Sequence, residues 1–256
     1  MLPYFYVSSV DAVGNDLVLD EDNSRHIVQV LRMKPGQKLQ LTDGKGALLT
    51  ATIVDDHKKK CRVRVDSIAN QAPPERQVAI AISPLKNASR FEWFLEKATE
   101  IGVTTIIPLL SERTERQHHR PDRWRGILVS ALLQSQQAWL PVLPVPVPFA
   151  QLVVGIRGEG GLIAGVSGED GPIAGLKADQ RLIAHCLDVP RPTESLAGLV
   201  RTKPAASTLI LIGPEGDFSA TEVELALAGG FVPVTLGKNR LRTETAGVVA
   251  ASLLCA

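Results

Sequence analysis

Cysteine is scarce in this 256-residue chain, and the three present, Cys61, Cys186 and Cys255, stand far apart with no C-x-x-C spacing. That argues against a zinc site or a disulfide framework and fits a reducing cytosol. An excess of one charge is missing too. Lys and Arg number 28 against 27 Asp and Glu, a formal net charge of +1, so nucleic-acid binding has to come from local patches rather than a global field. No apolar run is long enough to span a bilayer. The opening MLPYFYVSSVDAVGND has no basic segment followed by a long apolar stretch, so neither membrane insertion nor secretion is expected.

Several common chemical signatures are absent as well. Gly158-Glu159-Gly160 has Ile163 where the third glycine of a G-x-G-x-x-G turn would fall, and no G-x-x-x-x-G-K-[ST] loop occurs, which disfavours dinucleotide and nucleoside-triphosphate chemistry. Neither G-x-S-x-G nor H-E-x-x-H is found. The adjacent His118 and His119 have no carboxylate or cysteine in metal spacing, so no metal is expected and both read as exposed loop residues. What remains is ordinary globular material, 45% hydrophobic and 21% charged, enough to build one large core or two smaller ones.

Residues 4–68 alternate short β-rich runs with turn residues: FYVSSV, DLVLD, QKLQLTDGKG, ALLTATIVD and CRVRVDSIA. The pattern predicts a small barrel-like β domain. Asp43-Gly44 and Lys45-Gly46 mark a hairpin between strands at 39–41 and 48–54, and residues 22–30 form the one helix expected there. A polar linker at 70–76 closes this domain, which places the boundary between 1–72 and 73–256. Beyond it the order changes to strand at 78–82, helix at 88–101, strand at 104–109 and helix at 123–137, the alternation of an α/β domain with a mainly parallel sheet. Four prolines within residues 141–148 forbid a helix and suit an extended connector or edge segment. The glycine-rich stretch 155–175, with its near-duplicate LIAGVSGED and PIAGLKADQ, reads as a hairpin or insert, because two short copies do not make a solenoid.

The part that reads as a site lies between residues 208 and 246. Leu209-Ile210-Leu211-Ile212 is an apolar run of strand length, broken by Gly213-Pro214-Glu215-Gly216. Ser219 and Glu222 stand in capping-box spacing ahead of a helix that stops at Gly229-Gly230. A second strand follows at 232–236, then a polar loop at 237–244, then an apolar helix at 246–255. Ligands in open α/β sheets settle outside the carboxyl ends of strands, which makes these two loops the default site. Pattern alone leaves a second reading open, in which Gly213 to Gly216 is an ordinary turn and Arg240 and Arg242 are merely solvated.

The segments IGPEGDFS from Ile212 and LGKNRLRTETA from Leu236, with Glu222 and Ala226 in E-x-x-x-A spacing, resemble the C-terminal signature of the ribosomal RNA small subunit methyltransferase E family of the SPOUT superfamily. HIVQVLRMKPGQKLQLTDGKG from His26, RFEWFLEKATEIGV from Arg90 and IIPLLSERT from Ile106 extend the resemblance over most of the chain, in order. It implies a SPOUT α/β knot, a deep trefoil knot in a mainly parallel sheet, behind an N-terminal PUA-like RNA-binding β-barrel. Knots are near absent among folds, so pattern reasoning does not reach one.

The resemblance also implies S-adenosyl-L-methionine as cofactor and a cytoplasmic homodimer that methylates N3 of a uridine in the 16S rRNA of the small ribosomal subunit. Its cofactor-binding positions fall on Ala184, His185, Ile212, Gly213, Glu215, Gly216, Leu236, Gly237, Leu241, Arg242 and Thr243. Methylating N3 of uracil requires loss of the N3 proton, and a guanidinium such as Arg242 stabilises the charge that develops on the uracil oxygens. Arg242 is thus the first catalytic candidate, with an ion pair to Glu244 as the competing role, and Glu215 is a candidate proton acceptor. Expected RNA contacts are Arg25, Arg32, Lys86, Arg90, Lys97, Arg113 and Arg116. Of these, Arg90 and Lys97 lie with Trp93 and Glu100 along one side of a helix whose apolar side is Phe91, Phe94, Leu95, Ala98 and Ile101. Two departures from the family stand out. Residues 133–137, LQSQQ, lack the acid and arginine of the family's E-Q-x-x-R, and Asp217 replaces a common second glycine at a place read as outside the turn. The rival from another class is an RNA-binding or ribosome assembly factor with the same fold and no methyl transfer.

Overall fold

The computed structural model describes residues 2–10, 12–115, 119–156, 167–168, 171–172, 178–186 and 194–256. The chain forms two compact units, one made of Met1–Pro73 with Leu132–Leu140, the other of Pro74–Ala131 with Pro141–Ala256.

The first unit is a five-stranded sheet of β1 (Tyr4–Tyr6), β2 (Asp16–Val18), β3 (Lys38–Thr42), β4 (Ala47–Asp55) and β5 (Arg62–Asn70), in the order β1-β3-β4-β5-β2. β1 lies parallel to β3 and the other pairings are antiparallel. The alternating burial of β4 puts Leu49, Ala51 and Ile53 into a core with Leu39, Leu41, Val63 and Val65. Two register irregularities between β4 and β5 bend the sheet around that core. The helix expected over 22–30 is α1 (Glu21–Arg25), capped by Asp20, whose carboxylate accepts from the N–H of Asn23. It runs into a wider π turn at His26–Val30, which seats Ile27 in the core.

In the second unit, a seven-stranded sheet contains β6 (Gln77–Ile82), β7 (Thr105–Leu110), β8 (Val147–Pro148), β11 (Gln180–Ala184), β12 (Glu194–Ser195), β13 (Ser207–Ile212) and β14 (Val232–Thr235). Its order is β12-β14-β11-β13-β6-β7-β8 and every pairing is parallel. A short antiparallel pair, β9 (Ser167–Gly168) with β10 (Gly171–Pro172), falls within the 155–175 stretch, most of which lies outside the described residues. The proline-rich segment ends in β8 at the sheet edge, where missing N–H groups cost least.

Helices cover both faces, and for that reason β6, β7 and β13 are apolar without alternation. Ala79, Ala81, Leu209 and Leu211 face α4 (Phe149–Gly155) and α6 (Ala220–Ala228). The opposite face, with Ile82, meets α2 (Ala88–Ile101) and α7 (Thr243–Cys255), which pack on each other. α5 (Leu196–Thr202) packs against α7, and α3 (Pro121–Ser135) sets Trp124 against Phe91 of α2, ring centroids 4.9 Å apart.

Two of the boundaries that differ from expectation bear on site residues or on the departures from the family pattern. α7 begins at Thr243 rather than 246, so Thr243 and Glu244 belong to its first turn and not to the preceding loop. α3 ends at Ser135, where Gln136 adopts a positive φ of 56° and the N–H of Gln137 returns to the carbonyl of Leu132. The LQSQQ departure is therefore a helix terminus.

Candidate functional site

Three neighbouring strands, β14, β11 and β13, bring their carboxyl ends together, and the loops that leave them wall a cavity of about 520 Å³. His185 and Cys186 come from the loop after β11, Gly213 to Glu215 and Asp217 from the loop after β13, and Leu236, Gly237 and Asn239 to Arg242 from the loop after β14. The strand ends Ala184, Ile212, Val234 and Thr235, with Arg90 of α2 and Thr243 and Ala246 of α7, complete the lining. The size is that of a pocket for a drug-sized ligand.

The loops are fixed by local chemistry. After β13, the N–H of Asp217 returns to the carbonyl of Pro214 at 2.9 Å, closing a turn in which Asp217 has a φ of 62°. Asp217 is thus inside the turn, contrary to the reading that placed it beyond. Gly213 is crowded: a Cβ there would stand 3.2 Å from both the ring and the backbone nitrogen of Phe218. After β14, Gly237 has a φ of 155°, and Thr235 Oγ1 donates to its carbonyl at 2.9 Å. Thr243 Oγ1 donates to the Gly213 carbonyl at 3.0 Å and so joins the start of α7 to the loop after β13. Ser219 and Glu222 form the expected capping box, and Glu222 Oε1 also accepts the N–H of Glu112 at 2.8 Å.

Charge is arranged around Arg90. Its Nη1 donates to Glu215 Oε1 at 3.1 Å, and its Nε lies 3.7 Å from Glu244 Oε1. Glu244 is buried, and its Oε2 has no hydrogen-bond partner among the described residues. Arg242 is exposed on the pocket wall and its guanidinium makes no ion pair among the described residues. The competing role for Arg242, a pairing with Glu244, is therefore not what the structure shows. Arg90 takes that place.

Residues 72–255 match the RNA methyltransferase domain family, and residues 19–66 match the RNA methyltransferase PUA domain. The chain is 31% identical over 230 residues to the ribosomal RNA small subunit methyltransferase E of Synechocystis sp., an alignment covering 88% of this chain and 68% of that protein. The chain belongs to the ribosomal RNA small subunit methyltransferase E family. The Mycobacterium tuberculosis member is 29% identical over 252 residues, 96% of this chain and 88% of that one. Among solved structures, a protein of Porphyromonas gingivalis described as a probable rRNA-methyltransferase superposes with a TM-score of 0.81 at 39% identity, covering 98% of this chain and 95% of that one. The Neisseria gonorrhoeae member of the family, solved bound to S-adenosyl methionine, gives 0.76 at 28% identity, with 98% and 96% covered.

Of the positions that the family resemblance marks for cofactor, Ala184, His185, Ile212, Gly213, Glu215, Leu236, Gly237, Leu241, Arg242 and Thr243 all line the one cavity. Gly216 lies just outside the lining, its carbonyl accepting from Arg113 Nη1 at 2.6 Å. The residues marked for RNA are divided between the two units. Arg25 pairs with Glu21, Lys86 with Glu115, and Lys97 with both Glu96 and Glu100. Arg32 is exposed with a φ of 54°, Arg90 is inside the pocket, and Arg116 lies outside the described residues. Asn239 falls in the loop 237–244 already read as part of the site, whereas Cys186, Asp217 and Thr235 are pocket residues that the pattern does not single out. Only the rule that loops at parallel strand ends form sites could have pointed to them.

Proposed function

We propose that this protein is a cytoplasmic, S-adenosylmethionine-dependent methyltransferase that modifies N3 of a uridine in the 16S rRNA of the small ribosomal subunit, acting as a homodimer. The observation that carries the reading is the convergence of ten family cofactor positions on a single cavity of suitable size, walled by backbone-exposing loops. The threaded SPOUT topology belongs to the same reading. It is supported by the placement of β14 on the far side of β11 from β13, although β13 comes between them in the chain.

S-adenosylmethionine, when bound, supplies an electrophilic sulfonium methyl group. Backbone groups of Leu236, Gly237 and Leu241 would hold its adenine, and Gly213 and Glu215 would line its ribose and methionine side. Gly237 permits that close approach because it carries no Cβ and has a φ no side chain tolerates well. Arg242, uncommitted among the described residues, stabilises negative charge on the uracil oxygens as the N3 proton leaves. Two carboxylates stand on the pocket wall. Both oxygens of Asp217 are taken up by backbone N–H groups, whereas Glu215 has only Oε1 engaged, by Arg90. Glu215 is thereby the carboxylate with a free oxygen to receive the proton. Arg32 and Arg25 in the PUA unit and Arg90 and Arg113 in the methyltransferase unit supply local positive charge for RNA phosphates.

The test is transfer of labelled methyl from S-adenosylmethionine to unmodified small subunits and to naked 16S rRNA, with nucleosides identified by mass spectrometry. A 3-methyluridine product is expected. Cofactor binding without any methylated nucleoside would favour the assembly-factor reading instead.

A further inference from the structure

We propose that Asp217 is a positioning residue that holds Cys186, and with it the His185–Cys186 wall of the cavity, in the place the cofactor pocket requires. The inference rests on the reading of this cavity as the S-adenosylmethionine site. Asp217 sits at a φ of 62°, a conformation in which glycine is the unstrained choice and Asp or Asn the tolerated alternatives. Its side chain explains why a non-glycine residue stands there. Oδ1 accepts the N–H of Phe218 at 2.8 Å, and Oδ2 accepts the N–H of Cys186 at 2.7 Å. The first bond is local. The second reaches 31 residues back, from the loop after β13 to the loop after its neighbour β11.

Cys186, His185 and Ala184 form one wall of the cavity, and Gly213, Pro214, Glu215 and Asp217 form another. The Asp217 to Cys186 bond spans from one wall to the other. β11 pairs with β13 only as far as Ala184 with Ile212, so the N–H of Cys186 is past the last ladder position, and the Asp217 carboxylate takes it up where water would otherwise do so. An ionised carboxylate is a strong acceptor for that N–H. With Cys186 tethered before ligand arrives, less ordering of this wall is left to occur on binding, and affinity rises accordingly.

The test compares wild type, D217G and D217N by calorimetric titration with S-adenosylmethionine, by methyl-transfer kinetics and by amide hydrogen exchange without ligand. Glycine suits the backbone at 217, so D217G keeps the turn and removes only the carboxylate. The expected result is a rise of roughly tenfold in the Kd of D217G, a KM for S-adenosylmethionine that rises more than kcat falls, and faster exchange in the peptide containing Cys186. D217N, with one acceptor oxygen, should recover part of the affinity. Unchanged exchange at Cys186, or faster exchange there with wild-type affinity, would overturn the proposal. So would faster exchange throughout β6 and β13, because Asp217 would then be holding the fold rather than the loop. If wild type itself fails to bind S-adenosylmethionine, the cofactor reading falls and with it the pocket role of Asp217, while the Cys186 exchange still decides whether the tether exists.

Discussion

Thr243, the first residue of α7, donates its hydroxyl hydrogen to the carbonyl oxygen of Gly213 at 3.0 Å. Both residues are buried, so this bond fixes the start of the helix against the end of β13, and with it the gap between two walls of the pocket. Thr243→Val keeps the branched shape and removes the donor, leaving the Gly213 carbonyl buried without a partner. A loss of about 1–2 kcal/mol is expected in urea denaturation, together with weaker S-adenosylmethionine binding in calorimetry. Wild-type stability in the variant would mean that the carbonyl finds another donor.

Arg242 is exposed and makes no ion pair among the described residues, so Arg242→Ala has little to disturb in the fold. Its thermal stability should stay within about 0.5 kcal/mol of wild type and its cofactor affinity should be largely kept. Methyl transfer should fall by about 10²–10³-fold, the usual effect of removing a group that stabilises developing negative charge. Loss of cofactor binding together with unfolding would assign Arg242 a structural role.

How far the site could be read from sequence depended on whether a residue's role is local. The capping box of Ser219 and Glu222 needs only a spacing of three, and it is present as expected. The apolar side of α2 follows from helical period: Phe91, Phe94, Leu95 and Ala98 are all buried, and Ile101 at its end is half-buried. Relations between distant residues were not legible. Nothing in the sequence links Asp217 to Cys186 or Arg90 to Glu244, because each pair meets only once the parallel strands and the α2–α7 packing are formed. The start of α7 was missed for a related reason: Arg242, Thr243 and Glu244 look like polar loop, and only the burial of Thr243 and Glu244 reveals them as helix.

Gly247 sits where α7 crosses α2 and β6. A Cβ there would lie 2.5 Å from Phe94 Cε2 and 2.9 Å from Ile82 Cδ1. Both neighbours are fully buried and cannot swing aside, so Gly247→Ala overpacks the core by about 1–3 kcal/mol. The better helix propensity of alanine offsets up to about 1 kcal/mol of that. A net destabilisation of roughly 1–2 kcal/mol is expected in chemical denaturation. A variant as stable as wild type would show that α7 can shift away from α2.

Glu92 of α2 is held by hydrogen bonds from Arg123 of α3, one of them from Nη2 to Oε2 at 2.6 Å. These bonds first, and then the positive charges of Arg123 and Arg120, keep its carboxyl below the usual range. A depressed carboxyl contributes stability that is fully present above the ordinary glutamate value of about 4.3 and is lost as pH falls through the folded value. Arg123 is 58% exposed, so solvent screening limits the contribution to about 0.5–1 kcal/mol. Glu92→Gln should therefore be less stable than wild type at pH 7, and the difference should shrink as the pH is taken below about 4. A gap that stays constant from pH 7 to pH 3 would show that the loss came from packing rather than charge.

The three cysteines differ enough in surroundings for one to report on the pocket. Burial, reinforced by Asp55 and Asp56, pushes the Cys61 thiol up to about 11, and burial raises Cys255 to about 11 against the opposing charge of Arg76. At pH 8 both are almost entirely in the unreactive thiol form. Cys186 is exposed and lines the cavity. Iodoacetamide at that pH should label Cys186 well before the other two, as read by peptide mass spectrometry, and saturating S-adenosylmethionine should slow the labelling several-fold. Labelling of Cys186 at the same rate with and without S-adenosylmethionine would place the bound cofactor away from the loop after β11. Equal labelling of all three cysteines would mean instead that the fold opens faster than the reagent reacts.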